Sequence, residues 1–210
     1  MRIACLHTAE SNVAVFARTA AQRGLTLTHQ VRADLLAEAM QAGGVTAEIA
    51  ARTGNALLDL TNDADAVLLT CSTLGAVADD VAGKARMPVL RVDATLARQA
   101  VRNGGKIAVL CAAETTLGPT GALFGKAAQQ TGAAIDLRLV PGAWGAFLAG
   151  ETQQYLAMIA AAADQAFSEG IEGVALAQAS MADAAALCRH GTPLSSPSAG
   201  LDAIAAALSR

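Results

Sequence analysis

A cysteine lies at a junction suited to chemistry in the segment AVLLTCSTLGAV, residues 66–77. An apolar run ends at Cys71, and the hydroxyl residues Ser72 and Thr73 follow before a predicted helix. The positive end of a helix and its first backbone N–H groups stabilise a thiolate. Such a thiolate can act as a base toward a carbon acid or as a nucleophile. A small buried hydrophobe is the alternative role, but the position favours a catalytic Cys71.

Three other predicted strand ends carry small or hydroxyl residues that lead into a helix. They are HTAES at 7–11, AAETT at 112–116 and AQAS at 177–180. Unpaired N–H groups at helix N-termini favour anions, and hydroxyl side chains there can cap the helix or bind a ligand. A small carboxylate or dicarboxylate is therefore the predicted ligand, with Thr115 and Thr116 among the candidate binding residues.

His7 ends the first predicted strand and has two open interpretations. Its imidazole could orient a substrate carboxylate or donate a hydrogen bond to Cys71. Alternatively, it bonds only to the backbone at the strand end. Structural roles are predicted for the remaining histidines and cysteines: His29, His190, Cys5, Cys111 and Cys188.

The composition excludes several classes of protein. The chain has 210 residues and a formal net charge of −3, and no basic block predicts binding to nucleic acid or an anionic membrane. No apolar run is long enough to span a membrane. The four cysteines form no CxxC pair, which indicates free thiols in a reduced, cytoplasmic protein. No phosphate loop follows a strand and no local spacing suits a metal, so neither a cofactor nor a metal is predicted.

Short apolar runs alternate with longer amphipathic stretches, which is typical of βαβ units. Strands are predicted at 2–8, 25–31, 66–71, 88–93, 106–112, 134–140 and 173–178. Helices are predicted at 10–23, 33–42, 46–62, 73–84, 94–103, 116–131, 143–149, 152–169, 180–190 and 198–209. Continuous apolar strands suit sheets covered on both faces. The expected fold class is therefore α/β, with mainly parallel four-stranded sheets.

The chain also repeats itself. IACLHTAES at 3–11 aligns with IAVLCAAET at 107–115, and VLLTCSTLGAVAD at 67–79 aligns with VALAQASMADAAA at 174–186. Two pseudo-symmetric, doubly wound lobes are expected, one formed by residues 1–93 plus 191–210 and the other by 94–190. Since ligands bind outside the carboxyl ends of parallel strands, the active-site cleft is expected between the lobes.

These residues resemble the aspartate/glutamate racemase superfamily, which includes glutamate, aspartate and hydantoin racemases, maleate isomerases and arylmalonate decarboxylase. The resemblance covers nearly the whole chain and is carried by Cys71-Ser72-Thr73, Thr115-Thr116 and Gln178-Ala179-Ser180. It implies a racemase in which each lobe supplies one cysteine. One thiol removes the α-proton from one face, and the other delivers a proton to the opposite face. A homodimer is also implied.

The second junction departs from that pattern. ALAQASMAD at 175–183 is similar to the hydantoin-racemase motif Leu-Gly-Cys-Ala-Gly-Met-Ala-Asp, but Gln178 stands where the cysteine would be. A glutamine amide offers hydrogen bonds and no exchangeable acid near neutral pH. Gln178 and Ser180 are thus expected to hold a carboxylate or an oxyanion. One-sided chemistry is favoured over a two-thiol mechanism.

The sequence therefore predicts a cofactor-independent, racemase- or isomerase-like enzyme that acts on a small carboxylate through Cys71. The predicted substrate-binding residues are His7, Ser72, Thr73, Thr115, Thr116, Gln178 and Ser180. Three alternatives stay open. They are a decarboxylating lyase of the arylmalonate decarboxylase type, a racemase whose second base is His7 or Glu114, and a non-catalytic protein that binds small acids. The substrate itself is not identified by the sequence.

Overall fold

The computed structural model describes residues 1–209, which divide into two compact units. One unit contains Met1–Thr95 and the C-terminal segment from Pro197 onward, and the other contains Leu96–Ser196. Both boundaries fall inside helices, between residues 95 and 96 and between residues 196 and 197.

Each unit contains one four-stranded parallel sheet. The first sheet has the order β2-β1-β3-β4, with β1 Arg2–His7, β2 Thr26–Val31, β3 Ala66–Leu69 and β4 Val89–Arg91. The second sheet has the order β6-β5-β7-β8, with β5 Lys106–Cys111, β6 Ala134–Leu139, β7 Gly173–Leu176 and β8 Leu194–Ser195. The same strand order is therefore used twice, and the predicted α/β fold with two four-stranded parallel sheets is confirmed.

Nine α-helices connect these strands within the described residues. They are α1 Ser11–Ala21, α2 Ala33–Gln41, α3 Ala47–Leu60, α4 Gly75–Ala82, α5 Val92–Val101, α6 Leu117–Ala128, α7 Ala143–Leu148, α8 Thr152–Ser168 and α9 Ser196–Leu208. Two 3₁₀ segments, Glu114–Thr116 and Ala179–Leu187, follow β5 and β7. No helix in the described part of the chain is long and apolar enough to cross a membrane.

Helix α3 shows how the sequence specifies an element. The side chain of Thr46 caps its N-terminus, because Oγ1 accepts a hydrogen bond from the Ile49 N–H at 3.3 Å. Ile49, Thr53 and Leu57 recur every four residues and are buried, so they form the face that packs on the sheet. The Thr53 hydroxyl is satisfied inside the core by the Ile49 carbonyl at 2.8 Å.

Each unit has its own apolar core. In the first unit, Val67 and Leu69 of β3 pack with Leu57 of α3. In the second unit, Leu110 of β5 and Ile159 of α8 belong to one buried cluster. Each of these two clusters covers one face of its sheet and includes residues at the carboxyl ends of the strands, where the predicted chemistry lies.

Three local features differ from the prediction. Strand β8 was missed, because two residues give no periodicity. The segment predicted as a helix at 180–190 is instead a 3₁₀ helix from Ala179 to Leu187, entered through a Met181 N–H to Gln178 carbonyl bond at 3.0 Å. Helix α4 begins at Gly75, two residues later than predicted, because the chain first makes a turn closed by Gly75 N–H and the Ser72 carbonyl at 3.2 Å.

Candidate active site

Cys71 lies in the turn between β3 and α4. Its thiol is free, and the residue is only 7% exposed, within the apolar cluster of the first unit. Ser72 is half-buried and Thr73 is exposed, so the two hydroxyl residues face progressively more solvent. Because α4 starts four positions after Cys71, the helix dipole acts on the thiol from a greater distance than the sequence predicted.

An arginine that the sequence reasoning did not select supports this turn. Arg91 ends β4, and a Cβ added at Gly75 would overlap its guanidinium. Any larger residue where α4 begins would have to displace the Arg91 guanidinium. Asp93 holds the guanidinium through two hydrogen bonds of 2.7 Å each, and both side chains of this ion pair are nearly buried. The sequence offered one signal for this ion pair, an arginine followed two residues later by an aspartate at the end of a predicted strand.

His7 is fully buried and lies in a chain of hydrogen bonds beside Cys71. The hydroxyl of Thr70 has one proton, which it donates to the Leu6 carbonyl at 3.1 Å. The same oxygen therefore accepts from the Nδ1–H of His7 at 2.8 Å. His7 Nε2 in turn accepts from the Nδ1–H of His29 at 2.9 Å. These proton positions are assigned from the network of donors and acceptors.

This environment keeps His7 uncharged at neutral pH. Burial, reinforced by the neighbouring His29, lowers the pKa of His7 to about 4. Both ring nitrogens have partners within the first unit, so a direct bond from His7 to a substrate or to Cys71 would require one of them to break. The observed contacts place His7 against Thr70, the residue immediately before Cys71.

Gln178 lies at the position in the second unit that corresponds to Cys71. Leu69 pairs with Leu6 in the first sheet, and Leu176 pairs with Leu110 in the second. Thr70 and Ala177 extend these strand pairings by one residue. The Thr70 N–H donates to the Leu6 carbonyl, and the Ala177 N–H donates to the Leu110 carbonyl, each at 3.0 Å. The residue after that is Cys71 in the first unit and Gln178 in the second.

The Gln178 side chain folds back onto the end of β5. Its Oε1 accepts hydrogen bonds from the backbone N–H groups of Ala112 at 2.6 Å and Ala113 at 3.3 Å. The matching N–H groups of the first unit are those of Thr8 and Ala9, since residues 3–11 align with 107–115. The amide oxygen of Gln178 thus satisfies two backbone donors at the end of β5.

The remaining predicted residues of the second unit lie around the same strand ends. Thr116 donates its hydroxyl proton to the Ala113 carbonyl at 2.6 Å, while Thr115 is exposed. Ser180 shares a 2.8 Å hydrogen bond with the Tyr155 hydroxyl. Burial raises the pKa of Tyr155 to about 12, so this phenol stays protonated. Tyr155 comes from α8, and its approach to Ser180 was not visible in the sequence.

Replacing Gln178 by leucine is expected to lower the free energy of unfolding by about 1–3 kcal/mol. Leucine has a similar size but no acceptor, so the N–H groups of Ala112 and Ala113 lose their partner. Denaturant unfolding measures the change. Gln178→Glu is the matched control, since it keeps an oxygen at this place, and equal loss in both variants would contradict the assigned role.

Comparison with known proteins agrees with this architecture. The Asp/Glu/hydantoin racemase family matches residues 38–208, most of the chain. The chain therefore belongs to this family of racemases, as the resemblance in its sequence predicted. No curated protein matches significantly.

Several solved structures have the same fold at low sequence identity. An aspartate racemase from Picrophilus torridus has a TM-score of 0.73 at 11% identity and covers 99% of this chain and 94% of its own. An aspartate racemase homologue from Pyrococcus horikoshii has a TM-score of 0.71 at 15% identity, with 100% and 99% covered. An allantoin racemase from Klebsiella pneumoniae has a TM-score of 0.71 at 13% identity, with 100% and 88% covered. At such identities these likenesses establish the fold, and family membership supports a racemase or isomerase activity.

Proposed function

We propose that the protein is a cofactor-independent racemase- or isomerase-like enzyme that acts on a small carboxylate, with Cys71 as its proton-transfer residue or nucleophile. The observation that carries this proposal is the position of Cys71. A free thiol follows the central strand β3 at the carboxyl edge of a parallel sheet, which is where such sheets bind ligands.

Burial suits Cys71 to this task. At 7% exposure the thiol is largely shielded from water, where electrostatic contacts with a bound substrate are stronger. In the proposed step the Cys71 thiolate takes the α-proton, and the electron pair of the C–H bond moves onto the carboxylate to give an enediolate. The Cys71 S–H then exchanges its proton with solvent, and delivering that solvent-derived proton to carbon regenerates the thiolate and completes exchange.

Hydrogen-bond donors at the strand ends are proposed to bind the carboxylate. In the first unit these are the hydroxyls of Ser72 and Thr73 together with the backbone N–H groups of Thr8 and Ala9. His7 is proposed to act through Thr70, since its own nitrogens have partners. In the second unit the proposed residues are Thr115, Thr116, Gln178 and Ser180.

Gln178 favours chemistry with a single thiol. Its Oε1 is bonded to the backbone, which leaves the Nε2 hydrogens as its donors toward a ligand. An amide cannot deliver the second proton that symmetric racemisation needs. This observation favours, as a second candidate, a decarboxylating lyase in which one thiol protonates one face of the enediolate left after CO₂ departs.

Proton exchange in deuterated water tests the proposal. Candidate acids, namely aspartate, glutamate, a hydantoin, maleate and an arylmalonate, are incubated with the enzyme and followed by NMR. Deuterium at the α-carbon is the expected result for a racemase-type enzyme, and cis–trans conversion of maleate would indicate an isomerase. Loss of CO₂ from the malonate without exchange would support the lyase. Tight binding of an acid without any of these reactions would contradict an enzymatic function.

A further inference from the structure

Three potential metal ligands meet on the first sheet. The ligand atoms of Cys5, His7 and His29 all lie within 4.8 Å of one another. Cys5 and His29 are direct register partners on β1 and β2, and His7 is two residues beyond Cys5, so all three side chains project from one face. The chain has only three histidines and four cysteines, and two of those histidines and one of those cysteines meet here.

We propose that Cys5, His7 and His29 bind a divalent ion of the zinc type. Thiolate sulfur and imidazole nitrogen are the ligands that zinc prefers, and three protein ligands leave a fourth tetrahedral position for water. The sequence predicts no metal because its histidines and cysteines show no short ligand spacing. Strand pairing instead brings together residues that are far apart in the chain.

The two histidines require only small movements to accept the ion. His7 Nε2 and His29 Nδ1 are 2.9 Å apart. With zinc–nitrogen distances of about 2.0–2.1 Å, two tetrahedral nitrogen ligands lie roughly 3.3 Å apart. The two rings must therefore separate by a few tenths of an ångström. His29 lies on the edge strand β2 and is half-buried, which leaves it room to move.

A partner that fixes one ligand is already present. The Nδ1–H of His7 donates to Thr70 Oγ1 at 2.8 Å, so Nε2 carries the lone pair that faces His29 and Cys5. Ligating histidines are commonly oriented in this way, by a hydrogen bond from their other ring nitrogen. The Thr70 oxygen thus selects the tautomer of His7 that a metal needs.

Binding would displace one proton. Zinc bonds to the Cys5 sulfur as the S–H bond breaks, and that proton leaves to solvent. His29 moves its proton from Nδ1 to Nε2, and this replaces the His29–His7 hydrogen bond by two bonds to the ion.

Cobalt substitution tests the site on the full-length protein. Titration of the metal-free protein with Co²⁺ is expected to give a near-ultraviolet thiolate-to-cobalt band and strong visible bands that saturate at one ion per chain. Zn²⁺ should abolish these bands by displacing Co²⁺. Added to the metal-free protein in weakly buffered solution, Zn²⁺ should release one proton per ion. Zn²⁺ should also raise the Tm, and a chelator should reverse the rise.

Matched variants localise the ion. Cys5→Ala should remove the thiolate band, and His29→Gln should weaken cobalt binding at least tenfold. Cys188→Ala and His190→Asn remove a thiol and an imidazole elsewhere, and they should bind cobalt like the parent protein. The proposal is overturned if no thiolate band forms, if the band persists in Cys5→Ala, or if it disappears in Cys188→Ala. Enzymatic activity plays no part in these readouts, so the metal site and the proposed function stand or fall separately.

Discussion

Replacing Cys71 by alanine is expected to lower turnover of the true substrate about 10³-fold, within the range that positioned acid–base groups contribute. Cys71 is the one thiol that the fold places at the carboxyl edge of the first sheet next to the hydroxyls of Ser72 and Thr73. Alanine removes the thiol that is proposed to carry the proton and leaves those hydroxyls in place. Turnover should therefore fall much more than affinity for the acid, as measured by exchange rates and by calorimetric binding.

Cys188→Ala provides the control for this experiment. Cys188 is half-buried, and its thiol contacts the Ala184 carbonyl at 3.3 Å in the second unit. Its removal should change the exchange rate less than twofold. Circular dichroism and denaturant unfolding would establish that Cys71→Ala is folded. A folded Cys71→Ala enzyme with at least a tenth of the parent rate would remove Cys71 from the mechanism.

Replacing Asp93 by asparagine is expected to lower the free energy of unfolding by about 3 kcal/mol, the lower end of the cost of breaking a buried ion pair. The side chains of Arg91 and Asp93 are 12% and 10% exposed. Asp93 also accepts a hydrogen bond from the Ala94 N–H at 2.8 Å, in the first turn of α5. Asparagine keeps the shape but leaves the Arg91 charge without its buried partner. Urea unfolding measures the difference.

Asp79 offers a control on the same arginine. It contacts Arg91 Nη1 at 3.0 Å, but its side chain is 66% exposed. An exposed ion pair contributes little, so Asp79→Asn should cost less than about 1 kcal/mol. Equal destabilisation by the two substitutions would contradict the view that burial makes Asp93 important. Because Arg91 packs over Gly75, loss of Asp93 should also disturb the turn that carries Cys71.

The architecture could be predicted because parallel strands leave a strong pattern. β3 and β7 are buried almost throughout and read as continuous apolar runs between amphipathic helices. β8 left no such pattern, because it pairs through only two residues. The 3₁₀ helix after β7 could not be predicted either. Its alanine-rich sequence suits an α-helix, and whether an α-helix or a 3₁₀ helix forms depends on packing.

Part of the candidate site could be predicted from the same strand pattern. Cys71 and Gln178 could be found because each follows a strand directly and the repeat aligns them. Contacts across strands and helices could not be found in this way. The pairing of His7 with His29 depends on the register of β1 and β2, and the contact of Tyr155 with Ser180 depends on how α8 packs. The hydrogen bonds from the Ala112 and Ala113 N–H groups to the Gln178 oxygen likewise depend on the three-dimensional structure.

The difference between Cys71 and Gln178 has a consequence for the chemistry. Equivalent positions of the two sheets carry a thiol in one unit, proposed above to transfer protons, and a hydrogen-bonding amide in the other. A racemase that treats both enantiomers alike needs an exchangeable group for each face of the substrate. Unequal groups instead favour exchange or protonation at one face, so deuterium should enter one enantiomer of a substrate faster than its mirror image.

A crystal structure with a bound small acid tests the central claim most directly. The acid is the one that shows exchange, isomerisation or CO₂ loss in the NMR experiment. The account predicts that its reacting carbon lies roughly 3–3.5 Å from Cys71 Sγ, the separation of a near-attack geometry. Its carboxylate should accept hydrogen bonds from Ser72, Thr73 or the backbone at Thr8 and Ala9. An acid bound with its reacting carbon far from Cys71 and no sulfur facing it would contradict the account.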